Sequence, residues 1–297
     1  MTIAGTQQAV LAESGQPVRI SAVTPGYWRV TFANPPINLF DPDVFAGLRV
    51  LLQRVRQDER VRVLVFDSAD PDYYISHLDV GRLSEVPDVP GAARLSDEWH
   101  HFVTELAHSP VISVASIRGR ARGIGVEFVL ACDMRFASRE RAILAQPEVG
   151  FGVVPGGGGL DWLPGIAGRS RALEIIIGGQ DFDGQTAERY GLVNRALPDS
   201  ELDSFVDALA IRIGGFDRRA LGMAKGLVNE RSAPPSQGDL LQSFNAILEA
   251  VSWPEAHARM TAMAAKGWGT KSDAELNHPA YLGLLADELA ASSLDGR

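Results

Sequence analysis

A single cysteine, Cys132, stands in this 297-residue chain, so no disulfide can form within it. It lies in an apolar stretch and reads as a buried, inert thiol, and such sparse cysteine suits a reducing compartment. Basic charge is also scarce: 28 Lys and Arg against 37 Asp and Glu give a net charge of −9. That balance argues against a nucleic-acid partner, whose affinity rests on neutralising phosphates. No apolar run approaches the roughly 20 residues that span a bilayer. The first residues lack the charged start and apolar block of a secretory leader. Low-complexity segments and fixed-period repeats are missing too. The expectation is a soluble, cytoplasmic protein with no membrane partner.

What is present is a full core, 45% of residues being hydrophobic, and an ordered alternation of strand and helix signals. Val18–Val23 and Tyr27–Phe32 read as two strands around Pro25-Gly26. Asp41-Pro42 is a helix start, with a capping carboxylate and a proline in the first turn. Val61–Phe66 reads as a buried strand whose exit delivers His77-Leu78-Asp79. Gly81–Leu95 is loop-like, and Asp97–His108 is helical. Beyond residue 168 the pattern is mostly helical. Ser232–Gly238, with two prolines, is the clearest linker. Strands in the first two-thirds and helices in the last third predict an α/β fold with a helical tail. The expected divisions are a flexible lead-in over 1–16, an α/β core over 17–231 and a helical C-terminal region over 232–297.

The chemistry concentrates in Val111–Gly159. An apolar strand, Val111–Ile117, runs into a glycine-spaced turn, Gly119–Gly125, and a helix opens with Glu127 in its first turn. A second strand region follows, then a loop bearing Glu148, then the run Gly156–Gly159. The spacing Gly119-x-x-x-Gly123-x-Gly125 resembles the cofactor turn of short-chain dehydrogenases, which seats a pyrophosphate on a helix N-terminus. Two observations oppose it. More than a hundred residues precede the turn, and none of the five tyrosines is followed four residues later by lysine. No Gly-x-Ser-x-Gly elbow and no phosphate-binding Gly-Lys-Ser/Thr turn occurs. The histidines at 100, 101 and 108 lack a partner at metal-ligand spacing.

A second resemblance uses more residues. Ala121–Asp133 (ARGIGVEFVLACD), Gln146-Pro147-Glu148 and Val154–Gly159 stand in the order and near-spacing of the enoyl-CoA hydratase, or crotonase, family. Pro110–Ile117 and Thr186–Val193 (TAERYGLV) extend the likeness over most of Val18–Lys225. The resemblance implies a crotonase-like spiral of ββα units with a helical C-terminal oligomerisation region, assembled as a homotrimer or a dimer of trimers. It implies an acyl-CoA thioester as substrate, with no metal and no cofactor beyond the coenzyme A of the substrate.

The resemblance also implies roles. Backbone N–H groups of Leu78 and Ile124 would form the oxyanion hole for a thioester enolate. Glu127 and Glu148 would be the acid–base pair that adds water across a 2-enoyl-CoA. Read alone, each has a plainer explanation: a helix dipole favours a carboxylate in the first turn, as at Glu127, and a Pro-Glu in a loop is usually solvated. Arg82 and Arg120 are candidates for coenzyme A phosphates. The chain departs from the family at His77-Leu78, where a glycine and a small residue are usual, at Ile124, where glycine is common, and at Leu160-Asp161-Trp162. His77 and Asp161 are therefore candidate additional site residues. Other enolate chemistry on the same scaffold (double-bond isomerisation, C–C hydrolysis or decarboxylation) and non-catalytic thioester binding stand as alternatives to hydration.

Overall fold

The computed structural model describes residues 9–10, 15–85 and 95–295. Most of the expected lead-in, and residues 86–94 of the loop-like stretch, lie outside these. Seven strands form the main sheet: β1 (Ala9–Val10), β2 (Val18–Thr24), β3 (Tyr27–Phe32), β4 (Val63–Ser68), β6 (Ile112–Ile117), β8 (Met134–Ser138) and β11 (Arg195–Leu197). They lie side by side in that order; β1, β2 and β3 pair antiparallel, and each later neighbour pairs parallel. A second sheet joins β5 (Tyr73–Ile75), β7 (Arg120–Arg122), β9 (Ile143–Ala145) and β10 (Phe182–Asp183) in the order β10-β9-β7-β5.

Strand β7 corrects the reading of Gly119–Gly125 as a turn throughout. Its three residues pair parallel to β5 on one side and β9 on the other. A strand this short carries almost no periodic signal, so only its partners define it.

The alternation along β4 shows how one strand serves two cores. Val63 and Val65 face a cluster with Leu202, Val206 and Ala210 of helix α7 (Asp199–Gly214), numbered in chain order as below. Leu64 and Phe66 face the main cluster, with Phe32, Phe128 and Leu130. Successive side chains on a strand point to opposite faces, which yields this division.

The helices are α1 (Pro42–Gln57), α2 (Leu95–His108), α3 (Ile124–Ala131), α4 (Gly159–Ala167), α5 (Arg169–Gly178), α6 (Gly184–Tyr190), α7, α8 (Arg218–Ser232), α9 (Gln237–Ala250), α10 (Pro254–Ala265), α11 (Asp273–Leu276) and α12 (His278–Asp295). Helix α1 begins where the sequence indicates, its Asp41 side chain accepting from the N–H groups of Asp43 and Val44. All eight residues of α3 are buried. A helix apolar on every face belongs inside a protein, and here it carries one carboxylate, Glu127.

The Ser232–Gly238 linker is shorter than its composition suggests. Helix α8 runs through Ser232 and α9 starts at Gln237, with Ser236 and Asp239 in a reciprocal capping box. The C-terminal helices return to the core: Leu240 joins the main cluster, and Ala250, Ala256, Met263 and Leu285 pack with Phe151 and Val153. Among the described residues no helix is long and apolar enough to cross a membrane.

Candidate active site

Glu127 stands one turn into α3, whose first internal hydrogen bond runs from its N–H to Gly123 O at 3.1 Å. The residue is only 3% exposed. Its Oε1 accepts two backbone hydrogen bonds, from Gly157 N at 2.8 Å and Gly159 N at 3.0 Å. The glycine run therefore serves the carboxylate directly. A Cβ on Gly157 would lie 2.3 Å from Glu127 Oε2, so only glycine leaves room there. Trp99 Nε1 donates to Gly157 O at 2.7 Å and fixes the same peptide from α2.

Glu148 opens a short 3-10 turn, Glu148–Phe151, after β9. Its Oε1 would lie 2.6 Å from a Cβ on Gly123, which has φ +53°, a region that favours glycine. Two glycines thus make space for two carboxylates at the start of one helix.

Both carboxyls hold their protons more tightly than an ordinary carboxyl. Burial raises Glu127 to about 7, while the N–H groups of Gly159 and Gly157 pull it back and the charge of Asp161 adds to the rise. Glu148 is pushed well above the ordinary carboxyl value, first by burial and then by repulsion from Glu127. Two like charges held close together resist ionising at once.

Both carboxyls face a cavity of about 370 Å³, within the range of a small-molecule site. Phe45, Trp99, Leu78 and Val80 supply one part of its wall. Phe244, Ile247, Leu248 and Val251, from α9 and the residue after it, supply another, with Met260 of α10. The C-terminal helices therefore line the same cavity as the core residues of this chain.

Leu78 and Ile124 also line the cavity. Leu78 forms an isolated parallel bridge with Phe40, in which Phe40 N donates to His77 O at 2.9 Å and Asp79 N to Phe40 O at 3.0 Å. In such a bridge the N–H of Leu78 itself points away from Phe40. Ile124 is the first residue of α3, where backbone N–H groups have no acceptor within the helix.

His77 lines the cavity beside them, stacked on Trp268 at 4.4 Å between ring centroids. Its Nδ1 contacts Leu78 O at 2.9 Å and its Nε2 contacts Glu275 Oε2 at 3.2 Å. Glu275 also accepts from Gly269 N at 2.9 Å. Burial alone would raise Glu275, but His278 and His77 outweigh it and hold the carboxyl far below its ordinary value. His278 is lowered to about 4 by burial, with Glu275 opposing the shift.

The remaining candidates sit further out. Asp161, in the first turn of α4, accepts from Ser243 Oγ at 3.1 Å, does not line the cavity and is raised chiefly by burial. Arg82 Nη1 pairs with Asp41 at 2.8 Å and Asp43 at 2.9 Å. Arg120 donates to Leu276 O at 3.0 Å and Asp72 O at 3.4 Å. Sequence reasoning missed Glu275, His278 and Trp268. The spacing Glu275-x-x-His278, with two polar side chains one helical turn apart, was the available signal.

Comparison with known proteins agrees with this architecture. The sequence model of the enoyl-CoA hydratase/isomerase family matches residues 24–243, well over half of the chain, and the protein belongs to that family. A Streptomyces avermitilis protein, provisionally named an enoyl-CoA hydratase, shares 39% identity at a TM-score of 0.86, covering 92% of this chain and 98% of its own. Pseudomonas aeruginosa DspI shares 26% identity at a TM-score of 0.66, covering 84% of this chain and 96% of its own. An enoyl-CoA hydratase from Mycobacterium avium subsp. paratuberculosis K-10 shares the fold, with 22% identity, a TM-score of 0.73 and coverage of 84% and 96%.

Proposed function

We propose that the protein adds water across the C2=C3 double bond of a 2-enoyl-CoA thioester. The observation that carries this reading is the meeting of a buried carboxyl, Glu127, and a half-buried one, Glu148, both raised in proton affinity, at one apolar cavity. In this reading the two carboxyls titrate as a pair, with Glu127 as the ionised base and Glu148 as the protonated acid. Glu127 takes a proton from water as the oxygen bonds to C3, and Glu148 delivers its proton to C2. Each positioned acid or base contributes on the order of 10²–10⁴-fold. The enolate oxygen formed between these events accepts from the N–H groups of Leu78 and Ile124. One preorganised donor of this kind stabilises the developing charge by about 3–4 kcal/mol. A backbone N–H survives any side chain except proline, so Leu78 and Ile124 serve despite their bulk.

Asp161 acts through Glu127 by its charge rather than on the substrate. Arg82, half-buried in the short turn that includes cavity-lining Val80, is the nearer candidate for a coenzyme A phosphate by its place in the chain, although its Nη1 already pairs with Asp41 and Asp43. The proposal includes a cytoplasmic homotrimer or dimer of trimers.

A second reading, another enolate reaction, is favoured by His77, a further proton-carrying group on the cavity wall, held by Glu275. Loss of enoyl absorbance on short, long and aromatic 2-enoyl-CoA thioesters separates the readings. Hydration predicts turnover in wild type that collapses in both Glu127→Gln and Glu148→Gln. Folded protein that turns over none of them sinks it. Activity that survives Glu127→Gln but not His77→Ala supports the second reading.

A further inference from the structure

The part of the cavity wall around His77 carries a constellation that hydration does not use. His77, Glu275 and His278 each offer one ligand atom, and these atoms lie within 4.8 Å of one another. Their exposures are 8%, 0% and 1%. His77 Nε2 stands 3.2 Å from Glu275 Oε2, and His278 Nε2 stands 3.2 Å from Glu275 Oε1. Ligand atoms of a four-coordinate zinc ion with bonds of about 2.0–2.1 Å lie about 3.3 Å apart, the spacing of each histidine nitrogen from its own carboxylate oxygen, while the three-atom set as it stands is wider and would draw in on binding.

The polarity of the contacts carries the argument further. A backbone carbonyl only accepts, so the His77 Nδ1 that meets Leu78 O carries a proton. In the neutral ring, Nε2 then presents a lone pair, and it faces a carboxylate oxygen that also only accepts. A cation must bridge them: either a second proton on His77 or a metal ion. A proton answers that one contact alone. His278 Nε2 and Glu275 Oε1 meet at 3.2 Å without the alignment of a good hydrogen bond, and His278 Nδ1 is buried with no hydrogen-bond partner. A metal ion answers both sides, taking a ligand from each residue. The Nδ1–H bond to Leu78 O is also the outer hydrogen bond that a metal-bound histidine usually makes. Arg122, which donates to Glu275 O at 2.5 Å, is neutralised by Asp181 at 2.6 Å and does not bar a cation.

We propose that His77, Glu275 and His278 form a three-ligand site for a first-row divalent transition metal, with the fourth ligand drawn from the cavity. Two imidazoles and one carboxylate suit zinc(II) and iron(II). The fourth ligand is water or an oxygen of the acyl group. The site stands apart from the Glu127–Glu148 proposal, because metal uptake is read without turnover.

The test uses tag-free, chelator-stripped full-length protein, titrated with Zn²⁺, with Co²⁺ and, without oxygen, with Fe²⁺. The expected result is one equivalent per chain, with Co²⁺ giving the visible bands of a low-coordinate nitrogen and oxygen site. Glu275→Gln and His278→Asn should each weaken Zn²⁺ binding by about 100-fold or more, beyond the effect of losing an outer hydrogen bond. His101→Ala, on the exposed face of α2, should leave it unchanged. The affinity order of the three ions distinguishes zinc from iron. Folded wild type that binds none of them overturns the site, as does binding that both folded variants retain. Should the variants fail to fold, the Co²⁺ spectrum of wild type decides, since a hydrated surface ion gives only weak octahedral bands.

Discussion

Glu127 and Glu275 are both buried carboxyls beside one cavity, and their protonation runs in opposite directions. Glu127 meets two backbone N–H groups and another carboxyl, and burial wins. Glu275 meets two imidazoles and a backbone N–H, and the partners win. Depth does not set the character of a buried acid; its neighbours do. A carboxyl poised near neutrality suits proton transfer, and one held ionised suits holding histidines or a cation.

The largest predicted effect breaks the first half of that contrast. Glu127→Gln and Glu148→Gln should each lower kcat on a 2-enoyl-CoA by on the order of 10²–10⁴-fold with unchanged circular dichroism. Gly157→Ala leaves both carboxyls in the sequence but displaces one, because its Cβ would sit 2.3 Å from Glu127 Oε2. A loss of about 10²-fold in kcat is expected, the scale of an ångström's misplacement. A fully active Gly157→Ala enzyme would contradict the placement of Glu127.

Stability against pH sharpens the contrast. Glu275 is lowered in the fold, so its contribution is present above its ordinary value of 4.5 and fades as pH falls towards the depressed value. Glu275→Gln should cost about 2 kcal/mol at pH 7, the scale of a charged hydrogen bond, and less in acid. Glu127 is raised, so the cost of ionising it in the fold is absent below 4.5 and grows as pH rises through about 7. Glu127→Gln should therefore match wild type at pH 4 and exceed it at pH 8. Denaturant unfolding at the two pH values reads both, and parallel pH responses would refute the comparison. The remaining effect is kinetic: kcat/KM should climb through a limb near pH 7 as Glu127 ionises, and a profile flat from 5 to 8 would remove it as the base.

Much of this was legible in residue order. Asp41-Pro42 marks the start of α1 because capping is local. The buried helix over Ile124–Ala131 is legible as an apolar run interrupted by one glutamate, and the glycines at 156–159 mark a close approach. Strand β7 was not legible, because three residues between glycines become a strand only when β5 and β9 flank them. Glu275 and His278 were passed over for a related reason. Their partner, His77, lies 198 residues from Glu275 in the chain, and no local pattern joins them.

The sequence by itself determined the family, the main-sheet strands and most helices of the core, one glutamate at a glycine-lined helix start and another in the loop beyond it, since these follow from local spacing and composition. Only the tertiary structure decided that α9 and α10 line the cavity, that Gly157 and Gly159 donate to Glu127, and that two histidines close on one carboxylate. Proton affinities and ligand sets depend on which groups meet after the solvent has been expelled, and a linear order of residues does not contain those distances.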